Sequence, residues 1–177
     1  MGNTITLEDI ITFLLETPMF GDLDAGELSE IVHIMQILRL RQGQTVFREG
    51  DRGDSWYVLY EGTAEVLKDT GIETRAIIEL GPRACFGEMA ILDGNTRSAT
   101  VRAKEPCTAF RFHKDAFDAL LASDNLAAYK LVYQMARVLA ARQRETTTRL
   151  ADLLHGPDET PLRETLEPII DRSAVTE

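Results

Sequence analysis

The 177-residue chain has few cysteines, few aromatic residues and few basic ones. Its two cysteines, Cys85 and Cys107, are too few for a disulfide framework and are not spaced as a metal knuckle, so they are expected as small apolar side chains in a reducing compartment. No apolar run approaches the roughly 20 residues that cross a bilayer. The acidic beginning lacks the basic and apolar regions of a secretion signal. A soluble, cytoplasmic protein without a membrane partner is the expectation. Lys and Arg number 19 against 29 Asp and Glu, a formal charge of −10. Phosphate backbones are gripped mainly by clustered Lys and Arg, so no nucleic-acid partner is expected. The three histidines, His33, His113 and His155, are scattered, and there is no Walker loop, nucleophile elbow or metal cluster, which leaves no candidate catalytic group. Gly2 with Thr6 fits a loose myristoylation pattern, but so short a pattern arises readily by chance, and one acyl chain would give only marginal membrane binding.

What is present is enough apolar sequence, 44% of the chain, for one substantial core. Apolar residues recur at helical spacing over 7–36, with a break at 17–21. Asp24 followed by Glu27 is a capping pair that starts a second helix. From Arg39 to His113 the pattern shortens to strands at 45–47, 56–60, 64–67, 75–78, 99–102 and 108–112, separated by Gly, Asp and Asn turns. Short antiparallel strands at such spacing, between helical segments, predict an α+β protein with a closed sandwich or roll of antiparallel strands. A short helix over 115–121 and a long one over 124–154 follow. Val132, Leu139 and Leu153 lie at heptad intervals with Thr146 between them, and Ala136, Gln143 and Leu150 form a second row. These rows fit a homodimer seam as well as they fit a helix running from its own roll into solvent. The expected segments are thus an N-terminal helical part (1–37), the roll (38–113), C-terminal helices (114–155) and an acidic tail (156–177) with at most one short helix over 162–170.

The stretch that carries chemistry is 86–100. Phe86 ends a strand, and Gly87 lets the backbone turn and approach a ligand closely. Residues 88–92 can form one helical turn with free N–H groups at its start. After the reversal at 93–96, Arg97 returns beside that turn, next to the small residues Ser98 and Ala99. An arginine, exposed amides and small side chains suit a single phosphate. Glu88 would repel a bare anion, but a ribose hydroxyl removes the conflict: the carboxylate accepts its proton while Arg97 pairs with the phosphate. A ribose cyclic phosphate offers both groups. A structural ion pair between Glu88 and Arg97 in an empty roll is the competing reading.

The same stretch resembles the phosphate-binding cassette of the cyclic-nucleotide-binding domain family, Phe-Gly-Glu-x-Ala followed by Arg-x-Ala-Thr. Phe86, Gly87, Glu88, Ala90, Arg97, Ala99 and Thr100 meet that pattern. The segment 54–62 and Leu80-Gly81-Pro82 extend the likeness. The resemblance implies an antiparallel, jelly-roll-like β-roll (a double-stranded β-helix) flanked by N-terminal helices and a long C-terminal helix, which senses cAMP or cGMP with no catalysis and no other cofactor. In it Glu88 holds the ribose 2′-hydroxyl, Arg97 holds the cyclic phosphate, and backbone amides near Gly87, Met89, Ala90, Ser98 and Ala99 assist. Val66 and Ile78 would wall the base. Three departures stand out. Arg83 and Ala84 occupy positions where relatives commonly carry Gly and a polar residue. Arg142 and Gln143 lie where the bacterial activator sets small hydroxyl residues on the base, which makes Arg142 the candidate helix contact and leaves base preference open. Nothing after Leu154 reads as a helix-turn-helix, so the output falls to a homodimer or a partner protein. The alternative is a ligand-free roll acting as a dimerisation or interaction scaffold.

Overall fold

The computed structural model describes residues 5–154; Gly2 and the 162–170 segment lie outside the described residues. Two compact units divide the chain, Met1–Met135 and Ala136–Glu177.

In the first unit, α1 (Leu7–Leu15) starts at Thr6 and α2 (Ala25–Val32) at Asp24, each closed by a reciprocal capping box with the acid three residues on. A 3₁₀ turn at Pro18–Phe20 separates them, at the break expected from the sequence. The spacing of Ile31, Val32, Ile34 and Met35 suggested that the second helix continues to residue 36. Instead the helix stops at Val32 and β1 (Met35–Leu40) begins, because these residues pair antiparallel with the last strand, Met35 opposite Phe112 and Leu40 opposite Cys107. Pairing partners distant in sequence override local periodicity here.

The other strands are β2 (Thr45–Phe47), β3 (Ser55–Glu61), β4 (Ala64–Asp69), β5 (Thr74–Leu80), β6 (Cys85–Phe86), β7 (Thr100–Ala103) and β8 (Cys107–His113). They form two four-stranded antiparallel sheets, ordered β1-β8-β3-β6 and β2-β7-β4-β5. The β-roll with flanking helices expected from the sequence is the fold. Inside the roll pack Leu40, Tyr57, Leu59, Phe86, Val101 and Ala109, with Tyr57 stacked on Phe86 at 5.2 Å. The same sheet is covered on its outer face: Trp56 of β3 is fully buried, 4.2 Å from the Phe112 ring and within 6.0 Å of Phe20 and Phe117. This double coverage is why β3 reads as a continuous apolar run rather than an alternating one. Both cysteines are free and buried.

After β8 come α4 (Lys114–Ala122) and α5 (Leu126–Leu154). Within the first unit, the opening turns of α5 bury Ala127, Ala128, Leu131 and Met135 at helical spacing. Lys130 pairs with Glu27 of α2 at 2.6 Å, and Gln134 hydrogen-bonds Asp22. The described part of the second unit is the rest of α5, whose side chains from 140 to 150 are all exposed. Thr146, Thr147 and Thr148 there return their hydroxyls to the carbonyls four residues back, and Arg149 pairs with Glu145 at the same spacing. Among the described residues, no helix is long and apolar enough to cross a membrane, and no cluster of acidic, His and Cys side chains could hold a metal.

Candidate functional site

The cassette is one continuous loop built on β3. Phe86 pairs with Tyr57, and at Gly87 the backbone enters the left-handed region with φ +79°. A methyl group on Gly87 would lie 2.9 Å from Arg97 Nη1 and 3.3 Å from the Phe47 ring. Glycine is therefore required for both conformation and space. Glu88 caps the single helical turn α3 (Met89–Leu92) and is almost wholly buried, 1% exposed. The turn closes with Ile91 and Leu92 N–H groups donating to the Glu88 carbonyl at 3.1 Å. The N–H groups at the start of such a turn have no acceptor within it. Ala90 is buried directly against Gly53, where an added methyl would come within 2.4 Å of the Ala90 side chain.

An Asx turn then reverses the chain. Asp93 accepts from the Asn95 N–H at 2.9 Å, and the amide contacts hold the Asp93 carboxyl below the usual carboxylate range. Arg97 follows, 3% exposed, with its backbone strapped to the 48–51 turn: its N–H donates to the Asp51 carbonyl and its carbonyl accepts from Gly50. Its guanidinium is fixed from three sides. Nη1 donates to the Gly87 carbonyl at 2.8 Å, Nη2 donates to the Ser55 carbonyl at 2.6 Å, and the plane lies 4.1 Å over the Phe47 ring. Asp54 stands 3.6 Å from Nη2. Burial pulls the Arg97 pKa down, yet a guanidinium so placed remains charged. Its Nε–H is buried with no hydrogen-bond partner. A buried cation with an unanswered donor is costly unless an anion completes it.

A second set of contacts fixes the descending limb. Lys68 Nζ donates to the Ser98 carbonyl at 2.8 Å and pairs with Glu49 at 2.5 Å, while the Glu49 N–H donates to the Thr100 hydroxyl. Ser98 is exposed and Ala99 half-buried. Val66 and Ile78 sit directly opposite each other on β4 and β5, Val66 half-buried and Ile78 52% exposed beside the equally open Ile77.

The fold thus gathers Phe86, Gly87, Glu88, Met89, Ala90, Arg97, Ser98 and Ala99 into one loop, and sets Val66 beside Ile78. Arg142 lies on α5 in the second unit and is exposed there. Phe47, Asp54 and Ser55, which hold the guanidinium, and the Glu49–Lys68 latch went unassigned in the sequence. Only the 54–62 segment gave a signal there. The departure at Arg83 has a structural answer. Arg83 takes φ +70°, its N–H donates to the Leu59 carbonyl at 2.8 Å, and its side chain pairs with Glu16 and covers the Phe13 ring at 5.3 Å. Contacts to α1 hold a turn that glycine would adopt unaided.

Residues 37–124 match the family model described as the cyclic nucleotide-binding domain, so this part of the chain is a cyclic nucleotide-binding domain. The chain is 34% identical over 110 residues to the cAMP-dependent protein kinase regulatory subunit of Blastocladiella emersonii, a match covering 62% of this chain and 27% of that one. It therefore spans under a third of the length of such curated relatives. The crystal structure of a cyclic nucleotide-binding domain from Methylobacillus flagellatus is similar with TM-score 0.75 and 28% identity, over 84% of this chain and 86% of that one. The Thermus thermophilus catabolite activator protein is similar with TM-score 0.68 and 28% identity, over 77% of this chain and 62% of that one.

Proposed function

We propose that the domain binds cAMP or cGMP in the 86–100 cassette, performs no catalysis, and passes the binding event through α5 to a second copy or a partner protein. The observation that carries this reading is the buried Arg97 guanidinium, oriented by two carbonyls and a phenyl face with its Nε–H unanswered. A cyclic phosphate supplies an acceptor and a second anion beside Asp54. Glu88, buried at the head of the same loop, takes the ribose 2′-hydroxyl, while Val66 and Ile78 flank the base. The exposed Ile77 and Ile78 are the apolar surface that a base would cover. Neither nucleic acid nor a membrane enters the mechanism, in keeping with the net charge of −10.

Calorimetric titration of the full chain with each nucleotide is the test. Saturable binding to one site per chain is expected, and the absence of heat at high micromolar nucleotide with folded protein would leave only the scaffold reading.

A further inference from the structure

A cleft of about 310 Å³ opens beside Phe47, between the β1 and β2 edges of the two sheets. Its volume falls at the lower end of the range for small-molecule sites. One wall is apolar, formed by Leu38 and Leu40 of β1 and Val46 and Phe47 of β2, while Gln44 and Thr45 add polar surface beside it. The mouth is basic. Arg48 and Arg52 line it, and among the described residues no hydrogen bond or ion pair engages either guanidinium. Arg111 stands deeper, its Nε donating to Ser55 Oγ at 2.8 Å and its Nη2 to Asp54 at 3.0 Å. Asp51 is turned to the backbone, accepting from the Arg48 N–H at 2.9 Å. Three guanidiniums therefore meet two carboxylates that are already engaged, on a chain whose formal charge is −10. Arg48 and Arg52 at the mouth of a cleft with one apolar wall select a molecule with both characters.

The geometry points to a second ligand site in this cleft, for a small organic anion whose apolar body fills the Leu38–Val46 walls while its acid group meets Arg48 and Arg52. No residue of the 86–100 loop lines it, and Phe47 and Asp54, which touch the Arg97 guanidinium, are the residues it has in common with that site. It stands whether or not a nucleotide binds the cassette.

The probe is 8-anilinonaphthalene-1-sulfonate, followed on the full chain by fluorescence and by amide and arginine side-chain resonances. Its uncharged parent, N-phenyl-1-naphthylamine, serves as comparison. Expected are shifts centred on residues 46–52, Tyr57 and the Arg111 Nε–H, and an affinity about tenfold above that of the uncharged parent. The Arg48→Gln/Arg52→Gln variant should lose about that factor. The proposal is overturned by shifts centred on residues 86–99, by equal affinity for the two probes, or by no binding of the sulfonate at about 1 mM, the weak limit for a specific site. The mapping on the unmodified chain decides the matter even if the double variant does not fold.

Discussion

Gly87 and Arg97 each determine what the other position can be. The carbonyl of Gly87 accepts from Arg97 Nη1 at 2.8 Å, and the space a side chain would need at Gly87 is the space that guanidinium occupies. Gly87→Ala should therefore lower stability by about 1–2 kcal/mol from the left-handed backbone alone. It should also weaken nucleotide binding by displacing the guanidinium. Thermal unfolding and calorimetry read the two effects separately, and an unchanged affinity would show that the phosphate is not held by Arg97.

Arg97 itself should tolerate no substitute. Arg97→Ala removes a charge-assisted contact worth roughly 1.5–3 kcal/mol, a tenfold to hundredfold loss of affinity. Arg97→Lys keeps the charge, but one ammonium lacks the planar fork that meets the carbonyls of Gly87 and Ser55 together. Its affinity should fall nearly as far as that of the alanine variant; titrations of both variants make the comparison.

Arg83→Gly should be close to neutral for stability, within about 1 kcal/mol. Relief of a left-handed arginine gains about 1–2 kcal/mol. Loss of the exposed Glu16 pair costs no more than about 1 kcal/mol, and loss of the Phe13 face costs about 0.5–1 kcal/mol. A destabilisation well beyond this in urea unfolding would mean that the loop contact with α1 does more than balance backbone strain.

Acid should loosen two contacts at once. The Lys130 ammonium lowers the Glu27 pKa and the Lys68 ammonium lowers that of Glu49, each from an ordinary value of 4.5. A carboxylate whose pKa is depressed by folding stabilises the native state above its unfolded pKa. That contribution is lost as pH falls below about 4.5 and through the lower native value. Urea midpoints should accordingly drop from pH 6 to pH 3, and Lys68→Met and Lys130→Met should each flatten that drop. An identical slope in both variants would remove these pairs as its source.

The helix starts at Thr6 and Asp24, the strand-and-turn rhythm of the roll and the 86–100 loop are legible in the chain because each depends on neighbours a few residues apart: a cap and its acid, alternation along one strand, a glycine at a positive φ. The candidate phosphate group could be named for the same reason, since Glu88 and Arg97 share one loop. What surrounds Arg97 could not. Ser55 is 42 residues away and Phe47 is 50, and no local pattern distinguishes a β3 carbonyl that accepts from a guanidinium from one that does not. β1 was hidden likewise, because its residues satisfy helical spacing until β8 pairs with them. Residue order alone determined the roll and which loop is the candidate cassette. Tertiary packing decided how the arginine is oriented, why Arg83 can replace a glycine, and where a second, basic-rimmed cleft opens, since each of these depends on groups that only the closed sheets bring within a few ångströms.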